Sequence, residues 1–113
     1  VKGVRFREFP LGNLENILND VDVLYMTRIQ RERFPEGPEG EQEYIRVSRE
    51  YRLTREMIDR ARPKERFRIM HPLPKIDEIE ADVDKTDYAY YFQQAKNGLY
   101  VRKALLLLVT GVI

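Results

Sequence analysis

The feature that most constrains this chain is Val21-Asp22-Val23-Leu24-Tyr25-Met26, an almost unbroken apolar run that passes directly into Thr27-Arg28-Ile29-Gln30-Arg31-Glu32-Arg33. A short apolar run of this kind reads as a parallel strand covered on both faces. The dense polar cluster behind it falls where open parallel sheets bind ligands, just beyond the carboxyl ends of their strands. Neither this run nor the longest one, Ala104 to Val109, approaches the ~20 residues that span a bilayer.

A second segment repeats the pattern. Phe67, Ile69 and Met70 read as a strand, and His71-Pro72-Leu73-Pro74 ends it because two prolines cannot continue a central ladder. Ahead of the first run, Val4, Phe6 and Phe9 alternate with polar residues as a short strand ending at Pro10, and Asn13 is placed to cap a helix with Leu14, Ile17 and Leu18 inward. Pro35, Gly37, Pro38 and Gly40, mixed with acidic residues, read as an exposed, mobile loop and a candidate lid. Thr54 is a natural N-cap for a helix through Arg62, with Pro63 just past its end. From Tyr88 onward the pattern is helical, with two helices meeting near Asn97-Gly98 and Gly98 capping the first.

Strand, helix, strand, loop, helix, strand, helix is the order of an α/β fold, a parallel three-layer sheet with flanking helices, and 113 residues make one such domain. The abrupt start at Val1 suggests a fragment or a processed chain, and no basic segment followed by an apolar stretch marks a signal peptide.

Charge and residue type narrow the function classes. Twenty Lys and Arg against nineteen Asp and Glu leave no global field to draw in nucleic acid or an anionic membrane, so the basic stretch Arg60, Arg62, Lys64, Arg66 and Arg68 is read as locally paired. Without Cys, and with His71 as the single histidine, there is no convincing soft-metal set, and a cytoplasmic compartment fits. Ser48 is the only serine and nothing places it near His71, which removes a hydrolytic triad. Phosphate-cradling glycine motifs are absent, and Tyr88, Tyr90, Tyr91 and Phe92 sit at a spacing that favours packing over base stacking.

Two groups remain as candidates. The Arg28 guanidinium fork matches a carboxylate and the Gln30 amide can add an orienting hydrogen bond, although Arg28, Arg31 and Arg33 paired with Glu32 on a solvated turn is the blander account. In His71-Pro72-Leu73-Pro74 the prolines withhold amide donors while neighbouring carbonyls stay free to accept, so the loop can orient an amine, or it is simply a rigid turn.

Three stretches in order resemble the aspartate carbamoyltransferase family. They are Val21 to Phe34, His71-Pro72-Leu73-Pro74-Lys75-Ile76-Asp77-Glu78-Ile79, and Tyr91-Phe92-Gln93-Gln94-Ala95-Lys96-Asn97-Gly98-Leu99-Tyr100-Val101-Arg102. Related ornithine enzymes usually carry Cys where this chain has Pro72, which favours aspartate. The resemblance implies an incomplete aspartate-binding domain of the carbamoyltransferase fold over 1–113. It implies that Arg28 binds the side-chain carboxylate of L-aspartate, that Gln30 helps to position it, and that Glu32 orients Arg28. It implies that the carbonyls of Pro72 and Leu73 face the substrate amine and carbamoyl group, with Thr27, His71 and Pro74 in support, His71 shaping the loop and a cis Leu73–Pro74 bond allowed. The family reaction needs no metal or organic cofactor.

The same likeness implies that the segment from Phe34 to Glu43 moves as the cleft closes, and that the C-terminal helix, about 98–110, packs toward a carbamoyl-phosphate domain. Full-length chains of the family form homotrimers, with regulatory chains as further partners. Lys75 stands where the family usually has Arg, and the family's Ser-Thr-Arg-Thr phosphate motif does not occur, so carbamoyl phosphate needs the missing N-terminal domain and this segment alone is expected to be inactive. The alternative is a noncatalytic module that binds a carboxylate, or a partner through its exposed sheet and C-terminal helix.

Overall fold

The computed structural model describes residues 3–113, so Val1 lies outside the described residues. Four α-helices and two strands follow in the order α1 (Leu14–Ile17), β1 (Val23–Tyr25), α2 (Pro38–Tyr51), α3 (Arg55–Ala61), β2 (Arg68–Met70) and α4 (Tyr91–Val109), with 3-10 turns at Arg31–Arg33 and Ala81–Lys85. The two strands pair in parallel, Val23 against Arg68, Leu24 against Ile69 and Tyr25 against Met70. On its other side β2 bonds the segment leading into α4, since Ile69 N–H donates to Tyr88 O and Tyr90 N–H to Ile69 O. An α/β fold with a small parallel sheet is therefore what the sequence folds into.

The core gathers below this sheet. Leu18, Met26, Leu53, Ile58, Phe67, Ile69, Ile79, Val83 and Tyr91 are buried together, and Phe67 meets Tyr88 edge to face at 5.6 Å. The apolar run at β1 is covered on one face only, because Val23 and Tyr25 are 50% and 52% exposed while Leu24 and Met26 pack inward. Side chains alternate along a strand, so this leaves an apolar face open within the chain.

Four local expectations are corrected. Residues 4–10 form no strand and are exposed: their alternation marks a segment that finds no sheet edge here. Asn13 precedes α1 without capping it, since its amide donates to Pro10 O and its oxygen accepts from Asn16 Nδ2. The expected loop over Pro35–Glu41 is cut short, because Pro38 is a helix-starting residue rather than a breaker and α2 begins there, behind Gly37 at φ 101°. Finally, α4 runs unbroken through Gly98, because one helical glycine costs only about 1 kcal/mol. Its terminator is Gly111 at φ 71°, whose N–H donates to Leu108 O while Val112 N–H donates to Leu107 O, the paired bonds of a Schellman end. Thr54 does cap α3 as expected, its side chain accepting from Met57 N–H at 3.2 Å.

Gly40 explains how the turn before α2 closes. A Cβ at this position would lie 1.7 Å from Pro35 O, so the first turn of the helix is pressed against the preceding backbone. Gly40→Ala is expected to destabilise the chain by about 2 kcal/mol, as overpacking against a fixed backbone does, measured by urea unfolding. An unchanged midpoint would show that the turn yields freely.

No described helix is long and apolar enough to cross a membrane.

Candidate functional site

Because β1 and β2 run parallel and in register, the segments after them leave the sheet at the same end. Met26 N–H still donates to Met70 O at 2.9 Å, and from there the two chains diverge, one into Thr27–Gln30 and the other into His71–Pro74. The first segment is anchored by α2, whose Tyr51 hydroxyl accepts Thr27 N–H at 3.2 Å. Arg28 then extends outward, with its Nη2 2.9 Å from Glu32 Oε1. Gln30 O accepts Arg33 N–H at 3.0 Å and so starts the 3-10 turn that carries Glu32 back toward Arg28. Both members of the Arg28–Glu32 pair are well exposed, where such a pair adds little stability and mainly fixes direction.

The second segment is held from inside. His71 and Glu78 are 1% and 4% exposed. Leu73 N–H donates to His71 Nδ1 at 2.8 Å, so that nitrogen carries no proton and Nε2–H is left to donate to Glu78 Oε1 at 2.7 Å. Glu78 also accepts Ile76 N–H, at 3.2 and 3.3 Å from its two oxygens. One imidazole and one carboxylate thereby fix the backbone at both ends of Leu73-Pro74-Lys75. Leu73 sits at φ 56°, a left-handed conformation rare for a side chain of this kind, and the Leu73–Pro74 peptide is cis. Backbone held in such a region marks a segment whose shape is imposed by its surroundings.

A second cluster pins the far end of the loop. Lys75 Nζ lies 3.1 Å from Asp84 Oδ1 and 5.9 Å from the centre of the Tyr91 ring, while the Tyr91 hydroxyl donates to the same carboxylate oxygen. Burial, and then the bond to Asp84, push the Tyr91 phenol well above its usual range. A group with a raised folded pKa stabilises fully below its unfolded value and loses that contribution as pH rises past it. Wild-type stability is therefore expected to fall more steeply than that of Tyr91→Phe from about pH 10 upward, read from urea midpoints. Parallel curves would remove Tyr91 from the account.

Arg28, His71 and Pro72 border depressions, and not the same one. Pro72 and His71 line an open one of about 270 Å³ with Tyr25, Gln94, Gly98 and Arg102. Arg28 borders a crevice of about 20 Å³ with Ile29, Tyr44, Ser48 and Ile76–Glu78, the right size for one water beside the otherwise unsatisfied Ser48 Oγ. Sequence reasoning missed Glu78, Gln94, Lys75–Asp84 and Tyr91 as supports. Gln94 lies within the third of the family-like stretches, but a local pattern cannot show which side chain turns back toward His71, 23 residues earlier.

A family model for the Asp/Orn binding domain of aspartate/ornithine carbamoyltransferase matches residues 5–109. The aspartate carbamoyltransferase catalytic subunit of Hyperthermus butylicus is 50% identical over 110 residues, 97% of this chain and 33% of that protein. That of Photobacterium profundum is 53% identical over 98 residues, covering 87% and 29% of the two. Among solved structures, the catalytic subunit of M. jannaschii aspartate transcarbamoylase superposes with a TM-score of 0.69 at 45% identity, over 82% of this chain and 28% of that one. The Trypanosoma cruzi aspartate transcarbamoylase in complex with carbamoyl aspartate and phosphate gives 0.69 at 31% identity, over 83% and 27%. The chain thus spans about a third of the length of the curated relatives it matches. It belongs to the aspartate/ornithine carbamoyltransferase family, matching the Asp/Orn binding domain of that family.

Proposed function

We propose that this chain supplies the aspartate side of a carbamoyl-transfer site. The observation that carries the reading is the parallel pairing of β1 with β2, which sends Thr27–Gln30 and His71–Pro74 out at one end of the sheet. Arg28 takes the side-chain carboxylate of L-aspartate with its planar fork, Gln30 adds an orienting hydrogen bond, and Glu32 steers the guanidinium. The carbonyls of Pro72 and Leu73 accept from the substrate amine and carbamoyl group, with the loop held by His71 and Glu78. The amine lone pair then attacks the carbonyl carbon of carbamoyl phosphate, the C–O bond to phosphate breaks, and the departing phosphate takes the amine proton as N-carbamoyl-aspartate forms. Positioning and charge stabilisation supply the rate, with no cofactor in the step.

Carbamoyl phosphate is bound by the carbamoyl-phosphate domain of the family, and trimer contacts lie with that domain. The long apolar surface of α4, where Leu99, Leu105, Leu106 and Leu108 are exposed, is suited to pack against it. That same surface favours the second reading, a noncatalytic module that docks on a partner. The solved Trypanosoma cruzi relatives include complexes with aspartate and phosphate and with N-(phosphonacetyl)-L-aspartic acid, which together with the match to an Asp/Orn binding domain supports aspartate as the ligand.

The test is nuclear magnetic resonance on the chain mixed with the remaining two thirds of the Hyperthermus butylicus subunit, titrated with N-(phosphonacetyl)-L-aspartic acid. The Arg28 Nε–H and Leu73 amide signals are expected to shift together. A saturable shift elsewhere that leaves both unmoved would contradict the assignment.

A further inference from the structure

We infer that Gln94 is a positioning residue for the aspartate site, its carboxamide tying the segment that carries Arg28 to the segment that carries the Pro72 and Leu73 carbonyls. The inference rests on the aspartate reading above and adds the part that holds its two halves in one frame.

Gln94 stands in the first turns of α4, with its own N–H donating to Tyr90 O. Its Oε1 accepts His71 N–H at 3.0 Å and its Nε2 donates to the Tyr25 hydroxyl at 3.3 Å. The amide orientation follows from chemistry, because a backbone N–H only donates and so requires the oxygen on its side. Tyr25 is the last residue of β1, three before Arg28, and His71 follows the last residue of β2, one before Pro72. One side chain from a third element therefore bonds both strand ends at their carboxyl side. From His71 the chain of bonds continues through its ring to Leu73 N–H and to Glu78.

This tie has leverage because the sheet beneath it is short. Three residues pair on each strand, and so small a ladder does not by itself fix the separation of its two outgoing loops. Aspartate must meet Arg28 through one end and the loop carbonyls through the other, so a shift of about 1 Å between the loops costs binding. Both ends of the Gln94 carboxamide are taken up by His71 and Tyr25, so it acts through them.

The experiment uses the chain mixed with the same two-thirds portion of the Hyperthermus butylicus subunit, with Gln94→Leu, Gln94→Glu and Tyr25→Phe variants. Leucine removes both bonds, glutamate keeps the acceptor for His71 N–H, and phenylalanine removes only the Tyr25 link. Gln94→Leu is expected to raise the KM for aspartate about tenfold while leaving the KM for carbamoyl phosphate unmoved, and to speed hydrogen exchange at the His71 amide about tenfold. Gln94→Glu is expected to keep His71 protected, and Tyr25→Phe to give a smaller rise in the KM for aspartate. An active mixture whose aspartate KM is unchanged in Gln94→Leu overturns the inference. A wild-type mixture that makes no carbamoyl-aspartate instead sinks the aspartate reading, and His71 exchange then decides the tie alone, unchanged exchange overturning it.

Discussion

Glu78→Ala is expected to lower the unfolding free energy by about 3 kcal/mol, close to what is lost when one member of a buried polar pair is removed. Alanine leaves the His71 Nε2–H and the Ile76 N–H without their acceptor, in a site where the His71 and Glu78 side chains are almost wholly buried. The His71 ring is then free to turn, and Leu73 N–H loses the fixed Nδ1 that holds Leu73 at positive φ. Glu78→Gln is expected to cost less, since its amide oxygen still accepts. Urea unfolding decides: a Glu78→Ala loss below about 1 kcal/mol would mean that water or a rearranged loop satisfies these donors, and that the loop is not held as described.

Arg28→Ala is expected to cut kcat/KM for aspartate on the order of 10²- to 10³-fold in a reconstituted site, the range for truncating a charged partner of a bound carboxylate. Stability should barely move, because the Arg28–Glu32 pair is exposed on both sides. Arg28→Lys keeps the charge and loses the fork, so an intermediate loss is expected. Glu32→Ala frees the guanidinium to swing and should raise the KM for aspartate with less effect on kcat. A large stability loss in Arg28→Ala, with activity retained, would make the pair structural.

How much of this is legible in the sequence depends on the range of the interaction. The β1 run and the strand before His71 were readable because a parallel strand carries its signature in consecutive residues. Thr54 was readable because a cap acts over three residues. The start of helix α2 is hidden in the sequence because Pro38 and Gly40 read as punctuation, although Pro suits the first turn and Gly40 is there to let Pro35 O approach. The strand expected at 4–9 failed for the opposite reason. Alternation shows that a segment suits a sheet edge, not that an edge is available, and these residues stay exposed. Arg28 and the His71–Pro74 loop stood out by position after a strand, while Gln94 and Glu78 act across 23 and 7 residues, where sequence pattern carries little.

The most direct measurement is carbamoyl-aspartate formation from carbamoyl phosphate and L-aspartate by this chain alone, by the chain mixed with the remaining two thirds of the Hyperthermus butylicus subunit, and by the same mixture made with Arg28→Ala. The account predicts turnover in the wild-type mixture only, with aspartate dependence lost in the variant. No turnover in a mixture shown by sedimentation to contain a folded complex would contradict it and leave a module that docks without catalysing.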